Sequence, residues 1–280
     1  MRSSFSVRGG IALRSSAGTL CRDGSLCGVL ALCGRACCFS VRGCGSMCRG
    51  TGPLRCCAGS FALRGTAAIG EGLAGGCFMD DARLEAARQA LFCEQVLAKS
   101  ASNVLLETLR EAKSVAAWEH FPPGDVFDPE TGAQWYYHSH PPEEGQAEHG
   151  HFHCFVRPEG PIGPIHHLVA LGVDAYGRLI RLFTVNQWVV GDQWLEAEAT
   201  IALMPRFDLH FARPSYLTNR WLSAVLALYA PEIEALVRKR DEVLAAHKAG
   251  QGVPVREDRD LEVTSELEVD LRQTTANLGL

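Results

Sequence analysis

The chain has 280 residues and a formal charge of −5, and that charge is unevenly placed. Residues 1–78 take nine arginines and two acids, which leaves residues 79–280 with 18 basic residues against 30 acids, a formal charge of −12. So acidic a body excludes nucleic acid as a general partner, because phosphate binding needs basic surface, and no apolar run approaches the roughly 18 residues a bilayer span requires.

Residues 1–78 differ in kind from the rest. They contain no Lys, His, Asn, Gln, Tyr or Trp, yet hold ten of the twelve cysteines and sixteen of the 28 glycines. Phe5-Ser6-Val7-Arg8-Gly9 returns as Phe39-Ser40-Val41-Arg42-Gly43, and no helical or strand period persists, so no packed core is expected. Three readings compete: a cysteine-rich metal or disulfide module, an organellar transit peptide, and upstream DNA read through from a start placed too early. Cys27, Cys33, Cys37, Cys38, Cys44 and Cys48 form no paired CxxC knuckles and have no histidine among them, which speaks against the module. The missing residue types and the abrupt change at Met79 favour the third reading, and in the last two cases the segment stands outside the fold. Beyond it only Cys93 and Cys154 remain. That excludes a disulfide scaffold and points to a reducing compartment, the cytoplasm, unless a genuine transit peptide directs the chain to an organelle.

From Met79 the pattern is that of one α+β domain running to about residue 270, with residues 271–280 as a flexible tail. Met79-Asp80-Asp81 places acids at a helix start, and Leu84, Ala87, Leu91, Val96 and Leu97 follow at near-helical spacing. A second helix is expected over Asn103 to Ala117, with Ser100–Asn103 supplying its cap. Residues 118–133 read as a turn-rich loop around Pro122-Pro123-Gly124. Strands follow at Gln134–His140, His149–Phe155, His167–Val173 and Arg178–Asn186; Asp174–Gly177 closes the last pair as a hairpin, and Trp188–Val190 continues the strand. A short helix near Leu195–Met204 precedes a long amphipathic one from Ser215, kinked at Pro231. Leu261–Thr264 offers an edge strand. Helices at both ends packed on a small, mainly antiparallel sheet make the fold class α+β.

Seven of the ten histidines fall between His138 and His167. In an extended strand, side chains two apart share a face. His138 and His140 therefore project together, as do His149, His151 and His153, while His167 begins the next strand. Imidazole is the commonest protein metal ligand, and zinc, iron, copper and nickel all accept it. Glu144 or Glu148 would complete a mixed N/O shell. The spacing of Gly132, His138, His140 and Glu144 resembles the first metal motif of the cupin superfamily, and Pro161-x-Gly163-x-x-His166 loosely resembles the second, although the two stand closer together than in a standard cupin. If the protein is an enzyme, the natural class is a metal-dependent oxidoreductase or hydrolase acting on a small molecule; a non-catalytic metal-binding or sensing protein fits the same residues. A second reading needs no metal. His149-x-His151-x-His153 resembles the histidine triad of nucleotide hydrolases and transferases, which would make His151 a nucleophile toward phosphorus. A third makes the cluster purely structural.

Several phrases together resemble an uncharacterised family of proteobacterial proteins. They are Glu119–Val126, Tyr136-Tyr137-His138-Ser139-His140, Glu148–His153, Arg181-Leu182-Phe183-Thr184, Asn219-Arg220-Trp221 and Leu261–Glu266. The resemblance covers roughly Met79 to Asp270. It implies a bacterial, soluble protein and assigns no mechanism.

Overall fold

Six strands form one antiparallel sheet in sequential order, β1 (Phe121–Phe127), β2 (Ala133–Ser139), β3 (Glu148–Val156), β4 (His166–Asp174), β5 (Leu179–Val185) and β6 (Val263–Glu268). The computed structural model describes residues 74–141 and 145–280. Every expectation for residues 1–73, including the three readings of the cysteine-rich segment, lies outside the described residues, as does Glu144. The first five strands are consecutive, because the Val, Phe, Tyr and Trp content of this stretch suits a pleated, buried surface. The helices are α1 (Ala74–Lys99), α2 (Val104–Thr108), α3 (Gln187–Val190), α4 (Ala197–Leu203), α5 (Tyr216–Leu228), α6 (Ala230–Ala246) and α7 (Leu271–Asn277). This is an α+β fold. Among the described residues no helix is long and apolar enough to cross a membrane.

One face of the sheet makes the main core. Trp135, Tyr137, Phe152, Cys154, Val169, Leu171 and Leu182 are buried in one apolar cluster with Ala87, Ala90 and Cys93 of α1, Trp221, Leu222 and Val225 of α5, and Ile233 and Val237 of α6. Each fully buried large apolar side chain contributes about 1.5–3 kcal/mol. Asn219 of α5 pins the layers together. Its Oδ1 accepts from Trp135 Nε1 at 2.8 Å, and its Nδ2 donates to the carbonyls of Phe211 and Arg213. The alternate residues of β2 and β3, among them Tyr136, His138, His151 and His153, emerge on the opposite face.

Several elements differ from the sequence expectation. β1 forms where a loop was expected: it is an edge strand, where Pro122 and Pro123 interrupt no central ladder, and its pairing with β2 is irregular between Phe121 and Val126. α1 begins at Ala74, before Met79, so Asp80 and Asp81 do not occupy its first turn. α2 stops at Thr108, well short of Ala117. Trp188 lies in the one-turn helix α3, capped by Asn186 and ended by left-handed Gly191, and β5 does not continue through it. Pro231 occupies the first turn of α6, where it needs no hydrogen-bond partner, so it starts a helix instead of kinking one. β6 starts at Val263, later than expected. The expected flexible tail contains α7, whose first N–H groups are capped by Asp270 and whose Leu271 and Thr275 are buried.

Candidate metal centre

The site is built by strand register. His138 of β2 stands directly opposite His151 of β3, and Tyr136 stands opposite His153. The alternation that sends Tyr137, Phe152 and Cys154 into the helical core therefore sends these three histidines together onto the other face. Their Nε2 atoms converge: His138 to His151 is 2.8 Å and His151 to His153 is 3.0 Å. One nitrogen from each of the three lies within 4.8 Å of the others. Tetrahedral zinc with bonds of about 2.0–2.1 Å would hold its nitrogens about 3.3 Å apart, close to this spacing. His140, half-buried and one residue beyond β2, brings its Nε2 to 3.4 Å from that of His138.

Burial sets the charge state. His138 is pushed down to about 3, chiefly by desolvation and then by the neighbouring His151 and His140. Desolvation likewise lowers His151, against the pull of Glu148, and takes His153 well below its ordinary value. All three rings are thus neutral near pH 7 and carry the lone pairs that a metal requires. Burial alone would raise the pKa of Glu148. Hydrogen bonds from His151 and Arg181 outweigh it and hold the carboxyl ionised, below its usual range. Glu148 Oε1 lies 2.8 Å from His151 Nδ1, and because a carboxylate only accepts, the hydrogen-bond pattern assigns the ring proton to Nδ1. The lone pair of His151 then sits on Nε2, toward the other two histidines.

A bulge decides which neighbours join them. The β3–β4 register slips between Glu148 and Gly150, so Glu148 reaches the histidine face and His149 turns to the core side, where its Nδ1 meets Tyr137 Oη at 2.6 Å. His149 does not join His151 and His153. His167 stands behind His153, its Nε2 3.1 Å from His153 Nδ1. His166, the last residue of the cupin-like spacing, is held elsewhere, with Nδ1 2.6 Å from the carbonyl of Gln193. Cys154 faces the apolar core, where burial pushes its thiol up.

Aromatic rings form the rim. Trp118, 57 % exposed, packs on His140 at 4.4 Å between centroids and meets His138 edge-on at 5.6 Å. His120, which the sequence gave no reason to place here, stacks on Tyr136 at 3.7 Å. The segment is held across β2 by the Trp118 N–H, which donates to the Ser139 carbonyl. A separate cavity of about 590 Å³, lined by Glu94, Asn103, Asp174, Arg178, Asp270 and Arg272, does not include the histidines. Its charges are of mixed sign.

Residues 84–269 match the family model described as "Domain of unknown function (DUF6969)". The chain belongs to this family. The resemblance to an uncharacterised family, carried in the sequence by the His138 and His151 phrases, is borne out by that match. No curated protein and no solved structure matches the chain. The whole histidine cluster, with Glu148 and Arg181, lies inside the DUF6969 region.

For this DUF6969 chain the donor set itself defines the available chemistry. Three neutral imidazoles on two rigid strands make a nitrogen-only shell suited to zinc, copper, nickel or iron. Triad chemistry has less support, because His149 is turned away by the bulge and the Nε2 of His151 faces two other histidines.

Proposed function

We propose that this protein binds one transition-metal ion, zinc in the first instance, through Nε2 of His138, His151 and His153. The observation that carries the reading is the convergence of those three nitrogens on one buried patch of sheet. Three protein ligands leave a fourth position for water or a small-molecule substrate, the arrangement of a catalytic site and not of a closed structural one. Zinc there would supply Lewis acidity and an activated water, making the protein a hydrolase; iron or copper would make it an oxidoreductase. The half-exposed rim of His140 and Trp118 is the side from which a substrate would enter. Cys93 and Cys154, both buried and unpaired, suit a reducing compartment such as the cytoplasm.

The test is elemental analysis of the full chain, purified without a polyhistidine tag, beside the His138→Ala/His151→Ala double variant. One equivalent of metal in the native protein and none in the variant is expected. A folded native protein that contains no metal and takes up none of zinc, cobalt, copper, nickel or iron would overturn the reading.

A further inference from the structure

The bulge in β3 exchanges one histidine for one carboxylate on the metal-facing side, and three further features converge on that carboxylate. First, Glu148 Oε1 lies 2.8 Å from His151 Nδ1, on the far side of the ring from the converging Nε2 atoms. Second, Arg181 of β5 donates from Nε to Glu148 Oε2 and from its terminal nitrogen to Glu266 of β6 at 3.0 Å, with its guanidinium over the Phe183 ring at 4.1 Å. Third, β4 carries Gly172 at the crossing point. A Cβ there would overlap Glu148 Oε2 and would stand 2.8 Å from Arg181 Cγ. Only the bare backbone of Gly172 lets Glu148 and Arg181 meet across the intervening strand. The Glu148 side chain is 6 % exposed, so a carboxylate is kept out of water where it touches a single imidazole and a single guanidinium.

We infer that Glu148, held by Arg181 across Gly172, is the positioning residue of the metal centre, fixing the ring orientation and tautomer of His151. The inference rests on the metal reading above. Its physical basis is that a ligand imidazole hydrogen-bonded through its second nitrogen to a carboxylate is both aimed and made more basic. Both Glu148 oxygens are engaged, Oε1 by His151 Nδ1 and Oε2 by Arg181 Nε, so the carboxylate acts through His151. The restraint on His153 is of a different kind, a neutral imidazole, His167. Among the described residues His151 is therefore the one ligand of the three backed by a charge.

The test uses the full-length, untagged, metal-stripped protein reconstituted with cobalt(II), whose visible spectrum reports coordination geometry. Affinity is read by competition with a chromophoric chelator. Glu148→Gln keeps the shape and an acceptor but removes the charge; Gly172→Ala keeps the charge but displaces the carboxylate. Each is expected to weaken cobalt binding by roughly 10–100-fold and to shift the spectrum. Arg238→Met, which breaks the exposed pair with Glu198, should leave both readouts at the native values. Native-like affinity and spectrum in both Glu148→Gln and Gly172→Ala would overturn the inference while leaving the metal site standing. Absence of cobalt binding in the native protein would remove both. If Gly172→Ala fails to fold, Glu148→Gln decides alone, since a merely structural role would lower its melting temperature without altering the spectrum.

Discussion

The Nε2 atoms of His138 and His151 stand 2.8 Å apart across a directly opposed pair of the β2–β3 ladder. Two neutral imidazoles at that distance share one proton. Yet the same His151 nitrogen also lies 3.0 Å from His153 Nε2, and its own proton is committed at Nδ1 to Glu148. One lone pair accepting from two donors is a poor hydrogen-bond solution inside a protein. A single cation accepting from three lone pairs satisfies all of them, which is why the geometry favours a metal over a structural cluster.

That distinction separates His151 from His149. His151→Ala should reduce metal affinity by more than the roughly 100-fold ascribed to outer-shell losses. His149→Ala should leave it unchanged, because its ring is on the other face of the sheet. Loss of the His149 contact leaves the buried Tyr137 hydroxyl short of a partner, for a cost of about 1–3 kcal/mol in stability. Chelator competition and urea unfolding on the two variants measure these two effects independently. Equal loss of metal in both would contradict the bulge.

The same bulge marks where the sequence stops being legible. Alternation by two places Tyr136, His138, His151 and His153 on one face, and the ladder keeps them there. Nothing local announces one extra residue at Glu148–Gly150, and one residue is enough to invert the parity of His149 and Glu148. Gly150 is the trace it leaves: a Cβ there would overlap the His138 carbonyl and Tyr137 Oη. Arg181 belongs to one of the phrases that carry the family resemblance, but nothing in the sequence pairs it with Glu148, because their meeting depends on the registers of β3 with β4 and of β4 with β5. Pro122 and Pro123 point to a loop in the sequence because their tolerance in a strand depends on edge position, a property of the assembled sheet. α7 has no sequence signature because its polar residues show no period, and its order comes from the Asp270 cap and the burial of Leu271 and Thr275.

Metal-free protein should be acid-labile above its ordinary carboxylate range. His138 and His167 are held down to about 3, and His153 well below its usual value, each chiefly by burial. In the unfolded chain they titrate near 6.5, so below that pH the unfolded state binds more protons than the folded one. Stability is therefore full above about pH 6.5 and falls as pH drops toward 3, by up to about 1.4 kcal/mol per pH unit for each such histidine. Urea midpoints of the metal-free protein at pH 7.5, 6 and 5 should decrease in that order. A flat profile would mean the rings are not held neutral.

Asn219 provides a test of the scaffold apart from the site. Its replacement by Ala leaves the Trp135 Nε1 donor and the Phe211 and Arg213 carbonyls without their partner. The Trp135 donor is buried and costs about 1–3 kcal/mol when unpaired, whereas Phe211 and Arg213 are exposed residues whose carbonyls can turn to water, so a loss of about 1–3 kcal/mol is expected in urea unfolding. Metal stoichiometry of the fraction that remains folded should stay at the native value, since Trp135 and Asn219 lie on the helical side of the sheet.

Trp118 should report occupancy of the centre directly. Its ring lies 4.4 Å from His140 and 5.6 Å from His138, whereas Trp135 and Trp221 are buried in the core on the opposite face. A paramagnetic ion held by His138, His151 and His153 would sit close enough to quench the emission of Trp118 while leaving those core tryptophans brighter. Titration of copper(II) or cobalt(II) into the metal-free protein should therefore remove a fraction of the fluorescence, saturating at one equivalent. Because 57 % of the Trp118 residue surface is exposed, the emission lost should be its red-shifted component, as indole in water emits at longer wavelength than indole in a core. Trp118→Phe should abolish most of the quench yet leave the chelator-measured affinity within about twofold, since it removes no ligand and keeps an aromatic ring at the rim. A quench as large in Trp118→Phe as in the native protein would place the bound ion away from Trp118 and its His138 and His140 neighbours.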